Sequence, residues 1–449
     1  MKGLIFGNNA ISDLRDKLLS AAPNEAAAIL LAGWAGNGDR TKLLVREHFV
    51  VPAGAYQTQE QLRVVIHPSF IMPLLKRARK EGLSLVLAHT HPFAEDANFS
   101  PVDDDGERAL MPAFFSRAGD RPHGALVLTS KDCNARIWTN LTAEPRHSSP
   151  VVDVGRNVQI HDRSRKSLPT TSEQFDRSVR AFGIEGQKTL ASLSVGIIGL
   201  GGIGSVVGEQ LAHLGVGDLV LLDPDVLEET NLNRVVGATR NDIGRPKVDV
   251  AAQLMRRINP EIKATAISGN VIMNNDAVHL LSCDFLLCCT DSHGSRAVIN
   301  QLAYQFMIPT IDLGVRDQVR DGTVESITGR IQMLAPGLPC LVCHDLLDPE
   351  EVRRDLLSQE ARSRDPYIVG AVEPQPAVIS LNGTVASLGV TMMLSAIVGL
   401  PVPVRHQLVL FNRGIVRAAA SDPLPQCVGC SLSGALARGD SWPMPGRPS

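Results

Sequence analysis

Residues 194–223 read SVGIIGLGGIGSVVGEQLAHLGVGDLVLLD. A short apolar run, Ser194–Ile198, enters Gly199-Leu200-Gly201-Gly202-Ile203-Gly204, after which apolar residues recur with helical spacing to about Leu214. A second apolar run, Asp218–Leu222, ends at Asp223, 19 residues beyond Gly204. Strand, glycine-rich turn, helix and acid-tipped strand together make a phosphate site: backbone amides at the helix N-terminus face phosphate, and the acid takes ribose hydroxyls. The same alternation of apolar strands with helices begins again and again from Glu173 onward. It predicts an α/β fold with a mostly parallel sheet covered by helices on both faces.

On its own this dinucleotide-type fingerprint reads by default as an NAD-dependent oxidoreductase. The residues that follow suit NAD less. They are Asp223-Pro224-Asp225, Asn231-Leu232-Asn233-Arg234 and Gly244-Arg245-Pro246-Lys247, and then Phe285–Cys289 leading into Thr290-Asp291 at a strand's C-terminal end. Two cations and an acid beside a nucleotide fold are what adenylyl transfer needs: the cations hold a triphosphate and the acid holds Mg2+ on it. With FGIEGQ (Phe182–Gln187) ahead of the first strand and Ile258-Asn259-Pro260 after the nucleotide half, the set resembles the ThiF/ubiquitin-activating-enzyme family from Phe175 to Cys430.

The resemblance implies ATP and Mg2+ as cofactors. It puts Gly199, Gly201, Gly202 and Gly204 in the phosphate turn, Asp223 on the ribose, Arg234 and Lys247 on the phosphates, Asp291 on Mg2+, and Asn231 with Gly202 along the pocket. Arg177 resembles an arginine that reaches across a homodimer into the partner's site. Cys340-x-x-Cys343 and Cys427-x-x-Cys430 match the family's structural zinc site, where four thiolates close the tetrahedron. The apolar run Ala377–Leu400 is expected to form a buried helix pair at a dimer interface.

A second constellation lies near the start of the chain. His89 and His91 follow the apolar run Ser84–Ala88, so a strand would point both imidazoles to one face, where they can share a metal. Ser100-Pro101-Val102-Asp103 reads as a helix start, with Ser100 at the N-cap and Asp103 at N3. Together, H-x-H-P, seven residues, S, two residues and D resemble the JAMM signature of JAB/MPN zinc metallopeptidases. The resemblance implies His89, His91 and Asp103 as ligands of a catalytic zinc whose fourth position is open to water. It implies Glu25, in Pro23–Gly33, as the general base and Ser100 as the oxyanion donor.

Bulk properties exclude little and agree with this. The 449 residues are 44% hydrophobic and 20% charged with a formal net charge of -3, which gives no reason to expect nucleic acid or a membrane surface as a partner. The first residues lack a secretory apolar run, and Leu388–Leu400 is shorter than the roughly 20 residues of a membrane span, so a cytoplasmic location is expected. The expected layout is a JAB/MPN-like domain over 1–142 and a linker over 143–172 holding one short strand (Val151–Ile160). An adenylyltransferase domain over 173–431 and a disordered tail over 432–449 follow.

The combined expectation is a bifunctional enzyme of a bacterial-type ubiquitin-like pathway, with about two zinc ions per chain. It would adenylate the C-terminus of a ubiquitin-like protein, process or deconjugate that protein, and pass it to a conjugating-enzyme-like partner. Sulfur-carrier activation for cofactor synthesis uses the same adenylate and stays open. A scaffold with dead sites is disfavoured by the full set of site residues. Ubiquitin-activating enzymes carry a nucleophilic cysteine in the segment that here spans His344–Leu400, which contains none. Cys133, Cys283, Cys288 and Cys289 lie outside it, so no enzyme thioester is expected, and a hydroxyl such as Ser358 or Ser363 is the in-chain alternative.

Overall fold

A computed structural model describes residues 3–142, 146–162, 173–320, 323–358, 360 and 378–448. The chain divides into two units. The first comprises Met1–Lys166 with Gln305–Met307 and Cys430–Pro443; the second comprises Ser167–Tyr304, Ile308–Gly429 and Met444–Ser449.

The first unit is a nine-stranded mixed sheet. Its strands run in the order Val158–His161, Val151–Val154, Gly3–Gly7, Lys42–Val50, Ala27–Ala35, Ser84–Thr90, His123–Leu128, Cys133–Trp138 and Arg146–Ser149. Strand Ala27–Ala35 shows why both faces are covered. Ala28, Leu30 and Ala32 point into a core with Ile11, Leu14 and Leu18 of the helix Ala10–Leu19. Ile29 and Leu31 point the other way, onto Ile71 and Leu75 of helix Pro68–Glu81 and Met111, Phe114 and Phe115 of helix Pro101–Ala118. A period of two, apolar on both faces, is what a sheet sandwiched between helix layers requires.

Two sequence expectations need correction. Residues 146–161 are three strands, not one: they form the last strand at one edge of the sheet and the last two at the other. The strand expected over Val151–Ile160 is present but splits into Val151–Val154, buried beside Leu4–Gly7, and Val158–His161, while Arg146–Ser149 was hidden by its polar, proline-rich surroundings. Residues 432–448 are likewise not a disordered tail. Ala435 and Ala437 are buried, Gly439 bridges to Trp34, and Asp440 accepts a hydrogen bond from the Gly36 amide at 2.8 Å. Order there comes from hydrogen bonds to distant segments, which Gly/Pro/Ser-rich composition does not reveal.

In the second unit an eight-stranded sheet runs Lys263–Ile267, Asp218–Leu222, Ser194–Ile198, Phe285–Cys288, Thr310–Arg320, Thr323–Leu334, His406–Leu410 and Ile415–Ala418. The first five strands are parallel and the rest antiparallel. The chain order of the parallel strands reverses direction beside Ser194–Ile198, where ligands bind in such sheets. The apolar stretch expected as a helix pair is, among the described residues, one 20-residue helix, Ile379–Val398. It is long and apolar enough by length and composition to cross a membrane, and 56% of its most apolar stretch is buried inside the protein.

Candidate functional site

In the first unit, pairing of Ala27 with His89 sets the register that brings Glu25 and His91 together beyond the strand ends. The Thr90 amide donates to the Ala26 carbonyl at 3.0 Å, and the Ala26 amide donates to the Thr90 Oγ1 at 3.0 Å, fixing that end. Asp103 arrives from the first turn of Pro101–Ala118, locked by a capping box. Its amide donates to Ser100 Oγ at 3.3 Å and its Oδ2 accepts from the Ser100 amide at 2.6 Å. The result is a tight cluster. His89 Nε2 lies 3.2 Å from His91 Nε2 and 2.9 Å from Asp103 Oδ1, and His91 Nε2 lies 3.4 Å from Asp103 Oδ2.

These separations suit a shared metal. Donor atoms about 2.05 Å from a tetrahedral zinc stand roughly 3.3 Å apart, within the observed range. His89, His91 and Asp103 would hold it, and Glu25, whose Oε1 is 3.6 Å from His91 Nε2, stands beside rather than within the set. Burial raises the Glu25 carboxyl above its ordinary value against the pull of His89 and His91. Burial also raises Asp103, but hydrogen bonds from both histidines outweigh it and hold that group well below the carboxylate range. Asp103 is thus held ionised, while Glu25 beside it is the easier of the two to protonate. Behind the cluster the Arg136 guanidinium pairs with Asp104, lies 3.5 Å from Glu107, and stacks 3.9 Å over Phe99, whose ring faces His89. Trp138 Nε1 donates to Glu107 at 2.8 Å, so this face of helix Pro101–Ala118 is fixed against the sheet.

The second unit carries a cavity of about 780 Å³ at the sheet's reversal point, within the range of nucleotide-sized sites. Gly199, Gly201, Gly202, Asp223, Arg234, Lys247 and Asp291 all line it. Gly204 does not: a side chain there would meet the Gly199 carbonyl at 1.8 Å, so this glycine lets helix and strand approach each other. Asp223 Oδ2 accepts from the Leu200 amide at 2.6 Å and Oδ1 from the Asp225 amide at 2.8 Å, and its burial raises its pKa. Lys247 Nζ sits 2.7 Å from Asp225 Oδ2, and Arg234 donates to the Thr230 carbonyl at 2.6 Å.

Two expected residues are placed elsewhere. Asn231 is not among the cavity's lining; it is buried in the turn Glu229–Asn231, where it closes a capping box with Glu228. Arg177 is exposed on helix Asp176–Ala191 and does not line the cavity of its own chain. Sequence reasoning missed Arg296, Asp355, Asn382 and Arg447, which do line it. Asp355 accepts from the Gly294 amide and the Ser292 hydroxyl, each at 2.9 Å, tying residues 349–356 to the loop after Asp291. Of these, only Arg296 stands near a motif the sequence singles out, five residues beyond Asp291.

Cys340, Cys343, Cys427 and Cys430 offer four sulfurs within 4.8 Å of one another. Cys340 Sγ is 3.7 Å from Cys343 Sγ and 3.4 Å from Cys427 Sγ, close to the roughly 3.8 Å between sulfurs 2.3 Å from a zinc. The Leu424 amide points at Cys343 Sγ from 3.4 Å, an outer hydrogen bond of the kind that orients metal thiolates. Cys288 and Cys289 are different: burial pushes both thiols well above the usual cysteine range. Ser358 lies just beyond helix Pro349–Leu356, and Ser363 lies outside the described residues.

The sequence profile of the ThiF family matches residues 175–426. A Haloferax volcanii protein named SAMP-activating enzyme E1 is 30% identical over 182 residues, covering 39% of this chain and 64% of the relative. The Escherichia coli molybdopterin-synthase adenylyltransferase is 30% identical over 216 residues, 47% of this chain and 82% of the relative. The Escherichia coli sulfur carrier protein ThiS adenylyltransferase is 31% identical over 216 residues, 48% of this chain and 78% of the relative. The chain thus spans just under two thirds of the first of these and more than three quarters of the other two.

Proposed function

We propose, from the premise that the chain belongs to the ThiF family, that its second unit adenylates the C-terminal carboxylate of a ubiquitin-like or sulfur-carrier protein. The observation that carries the reading is the cavity. A glycine turn at a helix N-terminus, an acid at the next strand's tip, two cations and an exposed acid all face one nucleotide-sized space. Asp223 would take the ribose and Arg234 and Lys247 the phosphates, each cation leaving its present partner (Thr230 carbonyl, Asp225) for a more highly charged one. Asp291 would hold Mg2+, which neutralises charge on the phosphates. The substrate's carboxylate oxygen attacks the α-phosphorus, the bond from that phosphorus to the bridging oxygen breaks, and pyrophosphate leaves with the electron pair. The acyl adenylate then meets a nucleophile on a conjugating-enzyme-like or sulfur-donating partner. Burial disfavours the thiolates of Cys288 and Cys289, and four more cysteines form the metal-type cluster, which supports a reading without an enzyme thioester. Homodimerisation through this unit, with Arg177 reaching the partner, and a cytoplasmic location belong to the same reading.

We infer a second activity for the first unit. His89, His91 and Asp103 would hold zinc, which supplies a Lewis acid and an acidified water. Glu25 takes the proton, and the Ser100 hydroxyl, whose oxygen already accepts from Asp103, keeps its hydrogen for a developing oxyanion. The substrate class is a peptide or isopeptide bond at the C-terminus of the same ubiquitin-like partner, which favours conjugation over sulfur transfer. The test is intact mass spectrometry of small proteins ending in a free glycine carboxylate after incubation with ATP and this chain. An adduct of one AMP is expected from wild type and none from Asp291→Asn; an unmodified panel with wild type would exclude the reading.

A further inference from the structure

Met444–Ser449 belongs to the second unit, and the described part of it joins the nucleotide cavity. Arg447 forms a parallel bridge with Met273: its amide donates to the Ile272 carbonyl at 2.7 Å, and its carbonyl accepts from the Asn274 amide at 2.9 Å. Gly446 makes the approach possible, because a Cβ there would stand 2.5 Å from the Ile272 carbonyl oxygen and 2.7 Å from Asn274 Oδ1. The guanidinium is then fixed at both ends, donating from Nη1 to the Leu357 carbonyl at 2.6 Å and lying with Nη2 3.0 Å from the Met273 sulfur. Held so, Arg447 lines the cavity beside Ile272 and Leu357.

Its position along the sheet says which part of a ligand it meets. The phosphate turn follows Ser194–Ile198, and the ribose acid Asp223 follows the next strand outward, Asp218–Leu222. A nucleotide running in that direction places its base over the loop after the outermost strand, Lys263–Ile267, where Gly269–Ile272 line the cavity. We infer that Arg447 is a nucleobase-binding residue, its planar guanidinium packed against the adenine of ATP, and that residues 444–448 are a working wall of the site. A planar cation with its nitrogens anchored offers a flat face to an aromatic ring without losing much side-chain freedom.

This inference rests on the adenylyl-transfer reading, and nucleotide titration calorimetry separates the two. Wild type should bind both ATP and AMP; if it binds neither, the reading falls and Arg447 with it. Arg447→Ala should weaken ATP and AMP by the same factor, about ten-fold, since both carry the base. Gly446→Val, which pushes the segment away from Ile272, should give the same paired loss. Wild-type affinity for both ligands in Arg447→Ala would overturn the inference. So would a loss confined to ATP, which would move the guanidinium to the β- and γ-phosphates.

Discussion

In the first unit, two imidazole nitrogens and a carboxylate crowd within 3.4 Å of one another and compete for the same point in space. In the second unit, the cations around the cavity are each paired with an acceptor of their own chain. Lys247 has Asp225, Arg234 has the Thr230 carbonyl, Arg447 has the Leu357 carbonyl, and Arg296 shares the fully buried Asp312 with Arg330, which lies outside the lining. The Arg330 and Arg296 charges hold Asp312 low despite its burial. On the proposed reading the difference follows from the ligands. A zinc ion needs donors already about 3.3 Å apart, so the strand register and capping box must assemble them before it arrives. A triphosphate carries enough charge to draw cations from weaker partners, so the cavity can store them paired. The four-sulfur cluster lies at the far end of the first pattern: with four donors and no open position, it would hold a metal without doing chemistry on it.

The largest effect that would break this contrast comes from emptying the preassembled site. His89→Ala/His91→Ala should lower peptide hydrolysis by about 10³-fold or more, since metal assistance supplies several kcal/mol. Adenylation should be unchanged, and metal analysis should show one zinc per chain instead of about two.

Acid should also distinguish the units. His123, with no solvent exposure, accepts from the Leu85 amide at 3.0 Å through Nδ1, lies 3.2 Å from the Gly119 carbonyl through Nε2, and is edged by Phe114 and Phe115. Protonating Nδ1 would break the Leu85 bond. Burial pushes this histidine down to about 4. Below pH ~6.5 the unfolded chain takes up a proton that the folded chain refuses. The stability His123 contributes is therefore full above that pH, is lost progressively as pH falls to about 4, and totals roughly 3 kcal/mol. His406 in the second unit is also pushed down to about 4, by burial and by His344, but is only partly buried, so its share is smaller. All three tryptophans, Trp34, Trp138 and Trp442, belong to the first unit, so their fluorescence follows its urea transition alone. Its midpoint should fall between pH 6.5 and 4, and His123→Gln should flatten that fall; a pH-independent midpoint would remove His123 from the account.

Glu25→Gln should keep both zinc ions yet lose hydrolysis by about 10²-fold, the scale of a missing general base. Unchanged hydrolysis would put the base elsewhere. The smallest effect sharpens the other half of the comparison. Lys247→Ala should weaken ATP by about ten-fold while leaving melting temperature nearly unchanged, because a partly exposed pair with Asp225 contributes little to the fold. A large loss of stability would mean that the pair serves the structure first.

Much of this was legible in the sequence because it is local. Strand Ser194–Ile198, its glycine turn and Asp223 lie within thirty residues, and the Ser100 capping box within four. Helix Pro101–Ala118 starts after Ser100, as its N-cap residue predicts. What escaped is what distant segments decide. Arg146–Ser149 is a strand because Cys133–Trp138 pairs with it, and 430–443 is ordered because Trp34 and Gln305 bond to it. Asn231 matched a motif, yet the turn at Glu228 uses its side chain locally. Arg447 carried no signal, since nothing nearby in sequence shows that Ile272 and Leu357 lie beside it.

Pyrophosphate exchange bears most directly on the adenylyl-transfer claim, because it reports the reversible attack of a carboxylate on the α-phosphorus and nothing later. With a ubiquitin-like or sulfur-carrier protein present, wild type should move labelled pyrophosphate into ATP. Asp291→Asn should lose that exchange by about 10² to 10³-fold, the scale of a missing electrostatic stabiliser. Exchange that persists undiminished in Asp291→Asn, or NAD bound in place of ATP by a wild-type chain that exchanges nothing, would contradict the account.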